Sequence, residues 1–140
     1  RRAYDAALVD LLREHGVDTV ALAGFDRLVS PVLLGAFPGR VVNIHPALLP
    51  EFKGLDTHAR AIAAGAKEHG ATVHFVDEGV DTGPIVLQSS VPVLDDDVKS
   101  RRCARRSRLG AAAIWVCARQ VAQPAWFEWL VIPAAFCISR

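Results

Sequence analysis

Acidic residues are nearly absent from the last third of this 140-residue chain, where only Glu128 follows Asp97. All three cysteines and all three tryptophans also lie beyond Asp97, whereas all five histidines precede it. The cysteines are odd in number and form no CxxC pair, which excludes a fully paired disulfide framework and the usual zinc pattern. A formal net charge of +1 gives no argument for a strongly charged partner. The composition therefore divides the chain near residue 97.

Long hydrophobic runs are also lacking. The most apolar stretch, residues 111–137, is interrupted by Arg119, Gln123 and Glu128, and a membrane span needs about 20 mostly apolar residues. The first residues form an amphipathic pattern rather than an apolar signal sequence. We therefore expect a cytoplasmic protein that does not partner a membrane, with one domain large enough for a hydrophobic core.

Residues 1–97 alternate between helical and strand patterns. Helices are predicted by the spacing of apolar residues in 4–12, by Ser30 as an N-cap before Pro31, and by the alanine-rich segment 58–64. Strands are predicted at 19–23, 40–44 and 72–76, and segments 85–88 and 91–93 are predicted to form one or two more. The alternation predicts an α/β fold with an open, doubly wound, mostly parallel sheet that binds ligands at its strand ends.

Three polar residues stand where two of these strands end. Asn43 and His45 are two apart and share one face of a strand, so an amide and an imidazole can both donate to one oxyanion. Asp81, in a glycine-flanked loop after the next strand, can favour the charged form of an imidazole. Taken alone, such residues are more often a cap, a structural histidine and a turn aspartate.

The wider pattern is more specific than any one of these residues. Residues 43–50 read Asn-Ile-His-Pro-Ala-Leu-Leu-Pro and residues 52–58 read Phe-Lys-Gly-Leu-Asp-Thr-His, followed by His-Phe-Val at 74–76 and Asp-Thr-Gly-Pro at 81–84. Over residues 1–97 the chain resembles the folate-dependent phosphoribosylglycinamide (GAR) formyltransferases of purine synthesis. The resemblance implies formyl transfer from 10-formyltetrahydrofolate, a co-substrate, to the amine of GAR. It also implies that Asn43, His45 and Asp81 form the catalytic set, with no metal, and that protonated His45 is kept charged by Asp81.

The resemblance assigns further residues to the two small-molecule substrates. The turn at 24–31 matches the pterin-binding turn of the family, and the loop at 77–81 matches a second folate wall. His74 borders the GAR side, and no nucleic acid is expected to bind. The implied folate-binding residues are Arg1, Asp26, Arg27, Leu28, Val29, Asn43, Asp77, Glu78, Gly79, Val80 and Asp81.

Two departures from the family pattern lead us to expect a fragment. The opening strand and phosphate-binding loop of the family have no counterpart here, and residues 107–110 do not match the substrate contacts expected there. We interpret 1–97 as a partial formyltransferase catalytic domain and 98–140 as an atypical basic, tryptophan-containing tail. The tail is predicted to be a read in a shifted frame or an unrelated extension; its rival is a basic module that binds nucleic acid or a membrane surface.

Other functions remain open at this point. A formyltetrahydrofolate hydrolase shares the Asn-x-His and Asp elements, as do formyltransferases that act on methionyl-tRNA or on sugar nucleotides. The segment at 54–58, together with His45 and Pro46, favours GAR over those relatives. An inactive remnant that binds folate or a partner is the alternative from outside the enzymes.

Overall fold

A computed structural model of the chain describes residues 2–94 and 131–133. The elements follow the order α1 (Arg2–Glu14), β1 (Val20–Ala23), α2 (Pro31–Ala36), β2 (Val41–His45), α3 (Thr57–Ala63), β3 (Glu68–Phe75), β4 (Ile85–Pro92) and β5 (Val131–Pro133). The five strands form one open sheet in the order β4-β3-β2-β1-β5. The predicted α/β class is confirmed.

The sheet has a parallel side and an antiparallel side. Strand β1 pairs in parallel with β2 and with β5, whereas β3 pairs antiparallel with both β2 and β4. Helix α2 makes the crossover that two parallel neighbours require. Register places Asn43 opposite His74 and His45 opposite Thr72, so the polar end of β2 faces polar residues of β3.

Helix α1 covers the parallel side of the sheet. Its residues Val9 and Leu12 belong to the main buried cluster. The helix ends at Glu14, and Gly16 follows with a positive φ of 67°, which suits a glycine stop, as predicted. The cluster unites α1, β1, α2 and the start of β2: Val9, Leu12, Val20, Leu22, Leu33, Phe37 and Val41. This core fixes the strand ends that carry the polar residues.

The start of α2 differs from its sequence expectation. Ser30 occupies the N-cap position, but its side chain makes no capping hydrogen bond. Its backbone N–H instead donates to Oδ2 of the buried Asp5 at 2.7 Å, which joins α1 to α2. The predicted N-cap position of Ser30 is therefore correct, but the hydrogen bond there is made by its backbone N–H to the Asp5 carboxylate of α1 and not by its own side chain.

Strand β3 is longer than predicted, because it begins at Glu68, whereas β4 is one continuous strand, which is one of the two predicted alternatives. Gly70 explains why the earlier start was missed, since glycine lowers the strand propensity of that segment. A Cβ at Gly70 would collide with the Ser89 carbonyl oxygen of β4. The glycine is therefore what lets the two backbones approach.

The backbone of β5 pairs with β1, with Val131 opposite Ala21. Apart from this strand, the predicted tail at 98–140 lies outside the described residues, as do the contacts expected at 107–110, and the tail's interpretation stays a prediction. Within the described part of the chain, no helix is both long and apolar enough to cross a membrane.

Candidate active site

A pocket of about 480 Å³ opens where β1 and β2 end. This is the edge of an α/β sheet at which ligands usually bind, and the volume is in the range of small-molecule sites. Strand ends and three loops line it, through residues 22, 24–29, 43–46, 54–58, 74, 76–77 and 79–81.

The three residues predicted to carry chemistry meet in this pocket. Asn43 and His45 project from the end of β2, and cross-strand pairing adds His74 from β3 beside Asn43. Asp81 comes from the loop between β3 and β4, where its φ is 50°. The left-handed backbone at Asp81 turns that loop back towards β2.

Asp81 is the centre of the polar contacts. Its Oδ2 lies 3.3 Å from Nδ1 of His45, and its Oδ1 lies 3.4 Å from Nε2 of His74. Oδ2 also accepts a hydrogen bond of 2.8 Å from the backbone N–H of Gly54. One carboxylate therefore joins two imidazoles and the 52–58 loop.

His45 is held at both ring nitrogens. Its Nε2 donates to the Phe52 carbonyl oxygen at 3.0 Å, while Nδ1 faces Asp81. Burial lowers the pKa of His45 below its ordinary value, and the Phe52 carbonyl and Asp81 oppose this only in part. The expectation that Asp81 keeps His45 charged therefore needs correction: desolvation outweighs the carboxylate, and the neutral ring carries its proton on Nε2.

His74 is 2% exposed and contacts both Asn43 and Asp81. Its Nε2 lies 3.3 Å from the amide nitrogen of Asn43, and its Nδ1 lies 2.8 Å from the carbonyl oxygen of Phe75. His74 was expected to border a substrate, and it does line the pocket.

Apart from Asn43, which lines the pocket from β2, the predicted folate residues lie on two walls of the pocket, with two exceptions. The turn contributes Asp26, Arg27, Leu28 and Val29, and the loop contributes Asp77, Gly79, Val80 and Asp81. Glu78 is exposed and does not belong to the pocket lining. Arg1 lies outside the described residues.

Comparison with known proteins agrees with this geometry. A model of the family described as formyl transferase matches residues 1–116. The chain belongs to the formyl transferase family. The match extends beyond residue 97, and the domain boundary that we placed there from composition stays a prediction.

Individual relatives of this formyl transferase domain come from several organisms. It is 53% identical over 97 residues to the trifunctional purine biosynthetic protein adenosine-3 of Drosophila melanogaster, covering 69% of this chain and 7% of that protein. It is 46% identical over 97 residues to a phosphoribosylglycinamide formyltransferase of Bacillus subtilis, covering 69% of this chain and 50% of that protein.

A solved structure shares the fold. Glycinamide ribonucleotide transformylase 1 from Symbiobacterium toebii matches with a TM-score of 0.76 and 48% identity, over 86% of this chain and 56% of that chain. The formyl transferase chain thus spans about half the length of the bacterial proteins that it resembles.

Sequence reasoning missed the residues that hold the loop after His45. Thr72 Oγ1 donates to the Ala47 carbonyl at 2.7 Å and accepts from the Leu49 N–H at 3.0 Å. Gln88 Nε2 donates to the Leu49 carbonyl at 2.7 Å and to Thr72 Oγ1 at 2.9 Å. These contacts fix residues 46–50 against β3 and β4, and only strand register reveals them.

Asp77 organises the loop that carries Asp81. Its Oδ1 accepts a hydrogen bond of 3.0 Å from the Gly79 N–H and one of 2.7 Å from the Thr82 hydroxyl. The short reach from an Asp side chain to an N–H two residues ahead is typical of turns. Asp77 therefore shapes this wall of the pocket as well as lining it.

A second histidine pair was also missed. Nδ1 of His58 and Nε2 of His69 lie 2.7 Å apart, so one ring donates to the other. Burial, and then the neighbouring His58, lower the pKa of His69 to about 4. Burial also lowers the pKa of His58. Among the described residues, no group of histidine, cysteine and acidic side chains could hold a metal ion.

Proposed function

We propose that this chain transfers a formyl group from 10-formyltetrahydrofolate to the amine of GAR; several of its relatives carry the name phosphoribosylglycinamide formyltransferase. The observation that carries the proposal is the meeting of Asn43, His45 and Asp81 at one pocket in a formyl transferase domain. Identity to phosphoribosylglycinamide formyltransferases at 46% and 52% supports GAR as the acceptor.

Asn43 has the chemistry to stabilise the reaction intermediate. The amine of GAR attacks the formyl carbon, a new carbon–nitrogen bond forms, and the carbonyl oxygen becomes an oxyanion. Asn43 lines the pocket, and its amide nitrogen can donate to that oxygen. The bond from the formyl carbon to the folate nitrogen then breaks.

His45 is suited to moving the proton. Its lowered pKa leaves it neutral near neutral pH, and negative charge developing on the formyl oxygen favours its protonated form. Asp81, 3.3 Å from Nδ1, orients the ring and stabilises that charge. The attacking amine loses a proton and the departing folate nitrogen gains one, so a group that takes and returns a proton serves both steps.

The pocket provides two walls for the folate. The exposed apolar side chains of Leu28 and Val80 lie at its rim, one on each wall, where they can cover a flat pterin ring. The main-chain groups of 26–29 and 77–81 complete the walls. The reaction as proposed takes place in the cytoplasm, with two small-molecule substrates and without metal, nucleic acid or membrane.

The test is to incubate the purified chain with 10-formyltetrahydrofolate, with and without GAR, and to follow folate absorbance. Deformylation that requires GAR supports transfer. Release of formate at the same rate without GAR would identify a hydrolase. Binding of the folate without deformylation in either mixture would identify an inactive binding remnant.

A further inference from the structure

The ring of His74 is oriented by its own backbone. Its Nδ1 lies 2.8 Å from the Phe75 carbonyl oxygen. A carbonyl oxygen can only accept a hydrogen bond, so Nδ1 must carry the hydrogen. In the neutral ring, Nε2 is then left with a lone pair and acts as an acceptor.

The group facing that lone pair is the amide of Asn43. The distance between Asn43 Nδ2 and His74 Nε2 is 3.3 Å, and an amide nitrogen only donates. We propose that His74 is a positioning residue, whose Nε2 accepts one N–H of Asn43 and so turns the second N–H towards the formyl oxygen. This inference rests on the proposed function, because the oxygen belongs to the transferred group.

The choice of amide orientation matters because the two ends of an amide have opposite character. If the Asn43 amide turned over, its oxygen would meet the lone pair of His74, and two acceptors would face each other. Without His74, an amide whose oxygen faces the pocket would repel the oxyanion. The ring therefore selects the orientation in which Asn43 stabilises the intermediate.

Asp81 lies close enough to His74 to compete with Asn43 for Nε2, so the positioning role requires that Nε2 carries no proton. Oδ1 of Asp81 lies 3.4 Å from the same Nε2 and can only accept. A doubly protonated His74 would donate to Asp81 and lose its bond from Asn43. Since His45 shares Asp81 through the other carboxylate oxygen, the positioning role requires that the proton used in catalysis stands on His45 and not on Nε2 of His74.

Nitrogen-15 NMR of the full chain tests the tautomer without any need for turnover. From the contacts with the Phe75 carbonyl and the Asn43 amide, we expect a protonated Nδ1 and an unprotonated Nε2 at His74. Loss of these signals in His74→Gln identifies them. A proton on Nε2, with or without one on Nδ1, overturns the proposal. This result is independent of whether the chain transfers formyl groups, so the two failures are distinguishable.

A double-mutant cycle in the formyl-transfer assay tests the consequence. His74→Phe should lower kcat by roughly 10-fold or more, within the ~10²–10³ range for loss of a whole oxyanion donor. In an Asn43→Ala background the same change should have little further effect. His74→Gln, whose side-chain oxygen can accept from Asn43, should restore much of kcat.

The opposite pattern would show that His74 contacts substrate instead. An equal fall in kcat with and without Asn43, or a raised KM for GAR at unchanged kcat, overturns positioning through Asn43. The NMR measurement uses the unmodified chain. It can therefore refute the proposal even if one of the variants fails to fold.

Discussion

Two histidine pairs lie close together in this domain, with His45, His74 and His69 buried and His58 partly buried, and they differ in one neighbour. His45 and His74 flank the carboxylate of Asp81. His58 and His69 contact each other at 2.7 Å, and in the described part of the chain no carboxylate hydrogen-bonds to either of them. Comparing the two pairs therefore shows how a neighbouring carboxylate changes the behaviour of an imidazole that is removed from water.

Burial lowers the pKa of His45, His58 and His69, but the neighbouring groups that oppose or add to this effect differ from one histidine to another. At His69 the neighbouring imidazole adds to the effect of burial, and the pKa falls to about 4. At His45 the carboxylate opposes burial. The pair with the anion can take up a proton when negative charge develops nearby, whereas the pair without it is a neutral structural contact.

The largest effect should come from removing the first pair's chemistry. Asn43→Ala and His45→Ala should each lower kcat by roughly 10²–10³, because each removes a group that stabilises the intermediate. Steady-state kinetics measures this, and His15→Ala is the control, since His15 is an exposed histidine at the end of α1. Near-normal turnover in either pocket variant would remove that residue from the catalytic set.

Breaking the second pair should change stability rather than chemistry. Unfolding restores the ordinary pKa of His69 near 6.5, so the unfolded chain binds more protons than the folded one between pH 6.5 and about 4. Stability is therefore full above about pH 6.5 and falls as the pH drops towards 4, by about 3 kcal/mol in total.

His69→Gln should flatten this dependence, which denaturant unfolding at several pH values measures. His15→Gln is the matched control and should leave the slope unchanged. If the unfolding free energy depends on pH equally in wild type and His69→Gln, the folded chain does not hold His69 in its neutral form more strongly than the unfolded chain does.

Thr72 lies on β3 between His69 and His74 and tests the scaffold that the two pairs share. Thr72→Val should cost about 1–3 kcal/mol of unfolding free energy, because it leaves the Ala47 carbonyl and the Leu49 N–H without their partner. Thr72→Ser keeps the hydroxyl and should lose much less. If valine is as stable as serine, the network does not hold the loop.

The smallest predicted effect is a change in the pH profile of kcat when the negative charge beside His45 and His74 is removed. Asp81→Asn keeps an oxygen for the Gly54 N–H but removes the charge that raises the pKa of His45. Because neutral His45 takes up the proton in the proposed reaction, the acid fall in kcat should move to lower pH. An unchanged pH profile would leave Asp81 as a loop residue with no electrostatic role.

The features that depend only on residues adjacent in the chain could be predicted from the local sequence pattern. The apolar spacing of α1, the short runs of β1 and β2, and the Asn-x-His motif at the end of β2 are all local, and the structure agrees with each. Asp81 was found because its glycine-flanked loop matched a family pattern.

What was missed depends on pairing between distant segments. The start of β3 at Glu68 requires the close approach of Ser89 to Gly70, and the support from Gln88 and Thr72 requires the register of β3 against β4. The net direction of the His45 pKa could not be predicted either, because it depends on how deeply the ring is buried, and a sequence motif does not contain that information.

The most direct test of the central claim is to follow the formyl carbon itself. With carbon-13 in the formyl group of 10-formyltetrahydrofolate, NMR should show the label leaving the folate and appearing as the N-formyl group of GAR. That conversion should require GAR and should nearly disappear in Asn43→Ala. Label that accumulates as formate at the same rate with and without GAR would contradict transfer to an amine at this pocket.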